Sequence, residues 1–179
     1  MFPFIRFAKE LLIHRNDPKL ALTDIHVSHH RCWPWDIDMF GELNNGRTLT
    51  LYDLGRLPLA MRVGFLTVLR EKKWGSTMAG ASVRYRRRIR MFERFEMRSR
   101  VVCWDERFIY LEQSIWVDEQ PASHILYRSA VTDQNGIVST VKVIEAMGVE
   151  MTVHEIPQWI SEWIKAEDHR PWPPMENPI

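Results

Sequence analysis

The sequence is poor in the residues that define several classes of small protein. It has two cysteines among 179 residues, Cys32 and Cys103, which are too few for a disulfide framework and lack the CxxC spacing of a metal or redox site. Two isolated thiols are typical of a reducing compartment, so a cytoplasmic protein is expected. No stretch approaches the roughly 18 apolar residues that span a bilayer. The apolar N-terminus lacks the uninterrupted hydrophobic region and cleavage site of a secretory signal.

An excess of one charge is also lacking. The 24 basic and 23 acidic side chains leave a net charge of +1, whereas a protein whose main partner is a polyanion normally has a large positive excess. Nucleic acid is therefore not expected as a partner. Charged residues make up 26% of the chain and hydrophobic residues 45%. That balance predicts one compact domain with a substantial core.

A metal-binding pattern is missing as well. His26, His29 and His30 lie close together in sequence, but the last two would face opposite ways in a strand. His26 and His30 could share one face of a strand, but no cysteine or carboxylate completes a recognisable ligand set with them. Neither a metal nor another cofactor is expected.

Hydrophobic periodicity divides the chain into three parts. They are an amphipathic helix with its linker, a folded domain, and a C-terminal helix with a proline-rich tail packed on that domain: residues 1–19, 20–150 and 151–179. The first helix is predicted over residues 4–14. We favour its packing on the domain or on a partner subunit. The alternative is peripheral contact of residues 1–15 with a membrane surface.

The middle part combines one long helix with a series of strands. The helix is predicted from Arg47 to about Gly64, with Asn44 or Asn45 as its N-cap and a kink or break near Pro58. Period-two segments follow, connected by turns short enough for antiparallel hairpins; they lie near residues 81–90, 94–103, 107–118 and 123–133. A long helix against an antiparallel sheet is an α+β layer arrangement.

The loop ahead of this helix carries the most specific pattern. Residues 36–45 read D-I-D-M-F-G-E-L-N-N, which resembles the D-x-D-x-x-G-H-x-N-N signature of hotdog-fold acyl-CoA thioesterases related to 4-hydroxybenzoyl-CoA thioesterase. The resemblance covers roughly residues 20–150. It implies a hotdog fold, in which an antiparallel sheet wraps around a long central helix. It also implies hydrolysis of an acyl-CoA to a carboxylic acid and coenzyme A, by a homodimer or homotetramer with the acyl-CoA channel between subunits.

The resemblance also implies roles for individual residues. Asp38 would be the catalytic carboxylate, and the Asn45 backbone N–H would polarise the thioester carbonyl, with Asn44 beside it as the cap. A helix N-terminus does present unpaired amides and the positive end of the dipole, where an oxyanion can develop. A nearby carboxylate can attack the carbonyl carbon or activate water, and both routes stay open. Asp36 is expected to fix the loop by hydrogen bonds to the backbone.

Two positions depart from the family pattern. Glu42 replaces the family histidine, and Thr48 stands where an aromatic residue is usual. Gly41 and Glu42 are predicted to contact substrate. The departures sustain an alternative function, a non-catalytic acyl-CoA-binding, lipid-binding or membrane-associated hotdog protein.

An arginine-rich segment follows the helix. Arg84, Arg86, Arg88 and Arg90 alternate with other residues, which predicts four guanidiniums on one strand face with Arg87 opposite. A solvated face or dimer rim paired with acidic residues is the favoured interpretation. A cradle for the phosphates of coenzyme A, formed by the first three arginines, is the functional alternative. Nucleic-acid binding is a third interpretation, which the low net charge disfavours.

Overall fold

The computed structural model describes residues 2–149 and 155–175, in which an antiparallel sheet curls around one long helix. The helices are α1 (Phe4–His14), α2 (Asn45–Arg62), α3 (Phe65–Lys72), α4 (Thr140–Ala146) and α5 (Gln158–His169). The strands are β1 (His26–Arg31), β2 (Gly75–Tyr85), β3 (Arg94–Trp104), β4 (Ile109–Val117), β5 (Gln120–Asp133) and β6 (Gly136–Val138). The predicted α+β arrangement is confirmed.

The sheet has the strand order β1-β3-β4-β5-β2, and β6 pairs with the end of β5. Every pairing is antiparallel. The β4–β5 connection is a two-residue turn in which Asp118 and Glu119 both have positive φ, 48° and 62°. Such a turn matches the right-handed twist of the strands it joins. β1 and β2 form the two edges, so the sheet remains open.

The long helix α2 lies on the concave face of the sheet and buries Leu51, Tyr52 and Leu54 completely. Gly55 sets its distance from β3. A Cβ at that position would stand 2.7 Å from Met97 Sδ and 2.7 Å from the Ser99 hydroxyl, inside van der Waals contact. The helix can approach the sheet this closely because position 55 has no side chain.

Pro58 lies inside α2, which continues to Arg62. The expected break is therefore wrong. Proline removes one helical hydrogen bond at a cost of about 3 kcal/mol, but Pro58 is buried, as is its neighbour Leu59. Tertiary packing outweighs the local preference, and the helix ends at Arg62, two residues before Gly64, which has φ +82°. A short helix, α3, follows directly and ends at Lys72.

The convex face of the sheet is covered by α5. Its Ile160 is fully buried against Cys103, Tyr110 and Leu126, and Trp163 packs beside it. The predicted boundary between residues 150 and 151, and the last four residues of the tail, lie outside the described residues. Neither cysteine is paired, since Cys32 and Cys103 are both buried as free thiols. None of the helices in the described ranges is both long enough and apolar enough to cross a membrane.

Helix α1 packs against α2 and buries a group of ionisable side chains beneath it. The Glu10 carboxylate is 3% exposed and lies 3.6 Å from the His14 ring and 3.8 Å from the His30 ring. Below them, Arg62 donates from Nη1 to Nδ1 of the fully buried His26, at 3.0 Å. Because Nδ1 accepts this hydrogen bond, His26 is neutral in this geometry.

Burial lowers the pKa of His26 to about 4 and the pKa of His30 to about 3. Nearby positive charge lowers both further: His14 and Arg62 act on His26, and Arg6 acts on His30. The folded protein therefore resists protonation that the unfolded chain accepts near pH 6.5. In this range the unfolded state binds more protons, so stability rises with pH.

We expect the free energy of unfolding to decrease as pH falls from about 6.5 to about 4. Urea titrations at a series of pH values measure this slope, and His26→Gln should flatten it by up to about 3 kcal/mol across the range. His29→Gln is the matched control, because the His29 side chain is 75% exposed. Equal slopes for the His26 variant and the wild type would contradict the assignment.

Candidate active site

The loop between β1 and α2 is organised around the buried carboxylate of Asp36. Its Oδ2 accepts a hydrogen bond from Arg6 Nη1 at 2.6 Å and another from the Trp33 backbone N–H at 3.0 Å. Its Oδ1 accepts from Arg47 Nε at 2.7 Å. The bond to Trp33 confirms that Asp36 fixes the loop through the backbone. The two arginines add a link that the sequence analysis did not predict, from α1 through the loop to the first turn of α2.

Asp38 lies in a tight turn at the tip of the same loop. Its Oδ1 accepts the Phe40 backbone N–H at 2.8 Å, and its carbonyl accepts the Gly41 N–H at 3.1 Å. Gly41 has φ +75°, a left-handed conformation that favours glycine. Met39 and Phe40 are pushed into solvent, 90% and 76% exposed. Asp38 Oδ2 forms no hydrogen bond with the described residues, so one carboxylate oxygen is available to a ligand or water.

The N-terminus of α2 begins as predicted. The Asn44 side chain accepts the Arg47 backbone N–H at 2.9 Å, which makes it the N-cap. Thr48 donates from its hydroxyl to the Asn44 carbonyl at 3.0 Å. Within the described part of the chain, the amides of Asn45 and Gly46 have no acceptor. These are the unpaired donors that a helix N-terminus offers to negative charge.

A cavity of about 180 Å³ opens beside this helix end. Residues from four segments meet there: the loop, the first turn of α2, the end of β2 with the arginines after it, and β5. The lining includes Glu42, Asn45, Thr48, Tyr85, Arg86, Arg87, Arg88 and Ser123. Asp38 and Gly41 are not among the lining residues, so the structure brings Glu42 and Asn45 together and leaves Asp38 at the loop tip.

Glu42 is the carboxylate that faces this cavity. Its Oε2 lies 2.9 Å from Arg88 Nε, and its side chain is 26% exposed. The backbone of Glu42 forms a β-bridge with Arg90, and the Leu43 N–H donates to the Ile89 carbonyl at 2.8 Å. The residue in place of the family histidine is therefore held from both its backbone and its side chain.

The predicted row of arginines on one strand face is wrong. β2 ends at Tyr85, and the amides of Arg86 and Arg87 both donate to the Ala122 carbonyl. The chain then leaves β5 and pairs with the loop at residues 42–43. Arg84 lies on the other side of the sheet, where it lines a cavity with Trp159 and Trp163 of α5.

The remaining arginines have separate environments. Arg87 donates to the Val117 carbonyl at 2.6 Å and lies 3.8 Å from the Glu93 carboxylate, which is a structural role. Arg86 and Arg88 are exposed at the cavity beside α2. Of the three arginines predicted to contact substrate, these two remain close to the helix end.

Two residues of the site were missed by the sequence analysis. Tyr85 donates from its hydroxyl to the Asn45 carbonyl at 3.1 Å and so fixes the first residue of α2. The Ser123 hydroxyl lies 2.8 Å from the Tyr52 hydroxyl, which connects β5 to the buried face of the helix. Tyr85 could have been found as the last residue of the alternating pattern. Ser123 has no local signal, because only strand pairing brings it to the site.

No group of three or more histidine, cysteine or acidic side chains in residues 2–149 and 155–175 is placed to hold a metal ion. The residues around the cavity present carboxylate, hydroxyl, guanidinium and amide groups. A carboxylate next to unpaired helix amides can add to, or direct water to, a carbonyl whose oxygen those amides receive.

Comparison with known proteins decides the family. The sequence pattern of the Thioesterase-like superfamily matches residues 32–164, which include the loop, α2 and the whole sheet except β1. The chain belongs to this superfamily. Membership confirms the resemblance found in the loop motif and places the chain among thioester hydrolases.

One relative that matches most of the chain and two solved structures extend this finding. Protein THEM6 of Xenopus laevis is 31% identical over 169 residues, 92% of this chain and 80% of that protein. An oleoyl thioesterase of Lactobacillus plantarum superposes with a TM-score of 0.65 at 18% identity, over 76% of this chain and 55% of that one. A DHNA-CoA thioesterase of Staphylococcus aureus gives 0.59 at 14% identity, over 80% and 91%. These structural likenesses confirm the hotdog fold.

We expect Asp36→Asn to lower the free energy of unfolding by about 3 kcal/mol, because it removes the carboxylate charge that two largely buried guanidiniums share. The Arg6 and Arg47 side chains are each 15% exposed. Urea denaturation monitored by tryptophan fluorescence measures the change. Asp118→Asn is the control, since that side chain is 86% exposed and its ion pair should contribute under about 1 kcal/mol. Similar losses in both variants would refute the central role of Asp36.

Proposed function

We propose that this protein is an acyl-CoA thioesterase that releases a carboxylic acid and coenzyme A at the N-terminus of α2. The observation that carries the proposal is the Asn45 amide, which has no acceptor in the described chain and belongs to a residue that lines a cavity together with the Glu42 carboxylate. The thioester oxygen would accept a hydrogen bond from the Asn45 amide. Negative charge that develops on this oxygen is stabilised by the amide and by the helix dipole.

The proposed reacting carboxylate is Asp38, which holds the catalytic position of the family motif and lies at the loop tip, outside the cavity lining. Its Oδ1 is held by the Phe40 amide, which orients the side chain, and its Oδ2 is available. In one route Oδ2 attacks the thioester carbon, the C–S bond breaks to release the thiolate of coenzyme A, and water then hydrolyses the acyl-aspartyl anhydride to the carboxylic acid. In the other, Oδ2 takes a proton from a water molecule whose oxygen attacks the same carbon, and the thiolate leaves. Glu42 is one of the residues that line the cavity. Its ion pair with Arg88 fixes the side chain there, which supports a role in binding substrate.

The arginines at the cavity mouth support recognition of the nucleotide end. Arg86 and Arg88 are exposed, and both line the cavity. Guanidiniums bind phosphate through paired, charge-assisted hydrogen bonds. We assign the phosphates of coenzyme A to these two residues and not to Arg84, which lies near α5.

Hydrolysis of acyl-CoAs of varied chain length, followed by detection of the free thiol, tests the proposal. We expect Asp38→Asn to lower kcat at least about 100-fold, in line with the loss of a positioned nucleophile or general base. Glu42→Gln should mainly raise KM. Glu71→Gln, an exposed change on α3, is the matched control and should behave like the wild type.

Three outcomes of this assay would contradict the proposal in different ways. Loss of turnover in Glu42→Gln with normal turnover in Asp38→Asn would transfer the chemical role to Glu42. Normal turnover in both variants would place the reaction elsewhere. An absence of turnover at every chain length, with acyl-CoA still bound, would identify a non-catalytic acyl-CoA-binding protein.

We further propose that the protein acts as a homodimer formed along β2. This strand is paired with β5 on one side only and is exposed over most of its eleven residues. An exposed edge of this length offers a row of unpaired backbone groups to another strand. β2 ends at Tyr85, beside the cavity, so a partner on this edge would border the site.

We expect light scattering to give twice the mass of one chain, and hydrogen exchange to show protected β2 amides on the edge away from β5. Dilution should release this protection together with the dimer, because the extra protection depends on the partner strand. Full turnover by a species that is monomeric at every concentration would contradict the dimer.

A further inference from the structure

A second cavity lies at the opposite end of α2 from the active site. Its volume is about 280 Å³, and it is enclosed by the C-terminal half of α2, by α3 and by the concave face of the sheet. Most of its lining is aliphatic or aromatic and includes Leu59, Ala60, Val63, Phe65, Leu69, Val101 and Ile109. Such a lining favours an apolar ligand.

Arg56 is the only cation in this lining. Its guanidinium is fixed on two sides, since Nη2 donates to the Asp53 carboxylate and the group lies over the Tyr127 ring, 4.6 Å from its centre. The third position, Nη1, is buried and has no hydrogen-bond partner among the described residues. Arg56 is nevertheless part of the lining, so its positive charge lies beside an otherwise apolar space.

Two hydroxyls add polar groups to the same cavity. The Oγ atoms of Ser76 and Ser129 are 3.3 Å apart, and both residues belong to the lining. Ser129 also donates to the Thr77 carbonyl at 3.3 Å. A guanidinium and two hydroxyls in an otherwise apolar space form an amphipathic site, polar for one end of a ligand and apolar for the rest.

We propose that this cavity binds a medium-chain carboxylic acid, with its carboxylate beside the Arg56 guanidinium and its hydrocarbon chain among the residues of α2, α3 and the sheet. A carboxylate suits the site because its oxygens accept charge-assisted hydrogen bonds from a guanidinium. The volume holds on the order of nine non-hydrogen atoms, at roughly 30 Å³ each. Octanoic acid has about this size.

The carboxylate could belong to a free acid or to the far end of a dicarboxylic acyl group on coenzyme A. Arg56 is eleven residues beyond Asn45 on one helix, which separates the two by roughly 16 Å. Only a long dicarboxylic chain would reach from a thioester at Asn45 to Arg56. The free acid is therefore the assigned ligand, and its binding does not depend on catalysis at Asp38.

Isothermal titration calorimetry of the full chain with octanoate, octan-1-ol and butanoate tests the site. Octanoate should bind at least tenfold more tightly than either analogue, because the alcohol lacks the charge and butanoate lacks the chain. Arg56→Gln should weaken octanoate at least tenfold and leave octanol unchanged. Arg70→Gln, an exposed arginine on α3, is the matched control and should bind octanoate like the wild type.

A second variant and a competition experiment complete the test. Ala60→Leu fills the cavity without altering Arg56 and should reduce octanoate binding even if Arg56→Gln folds poorly. Octanoyl-CoA should not displace octanoate, whereas displacement by dodecanedioyl-CoA would identify the acyl group as the source of the carboxylate.

Three results would overturn the assignment: equal binding of octanol and octanoate, wild-type affinity in Ala60→Leu, or no octanoate binding at all. Octanoate binding that persists in Asp38→Asn would show that the site is separate from the catalytic one. This second cavity and the proposed thioesterase activity can therefore fail independently.

Discussion

The geometry of the candidate site depends on one buried carboxylate between two guanidiniums. Asp36 accepts hydrogen bonds from Arg6 and Arg47 at 2.6 and 2.7 Å, so a single residue joins α1, the loop and the first turn of α2. Removing either partner from such an arrangement leaves an uncompensated charge in a poorly solvated place. The turn with Asp38, the cap at Asn44 and the position of Glu42 all follow from a loop fixed at this point.

Sequence analysis succeeded where local chemistry determines the structure. The cap at Asn44 and the short turns between strands depend on residues that are neighbours in the chain. The loop motif identified the family because it combines such requirements at fixed spacing. It did not reveal the guanidinium partners of Asp36, because Arg6 is thirty residues away and nothing in α1 distinguishes this arginine from a surface cation.

The sequence-based predictions were wrong where tertiary contacts compete with the local preference of the backbone. The alternating arginines after β2 have the period of a strand, but the buried Ile89 and the pairing of its carbonyl with Leu43 draw the segment out of the ladder. Pro58 shows the opposite effect, since it is buried inside α2 and the helix stays intact through a residue that usually interrupts one. In both places the decisive partner is distant in sequence, so periodicity alone could not predict the outcome.

The missing side chain at Gly55 limits how this protein can be altered. At Gly55 the helix contacts Met97 and Ser99 of the sheet so closely that no space remains for a Cβ atom. The distance between the two layers is therefore set at the middle of α2. Cavities at either end of the helix can change in size only through the residues around them, not by moving the helix as a rigid body. Selection for a larger or smaller ligand would therefore act on side chains such as Thr48 at one end or Ala60 at the other, independently of each other.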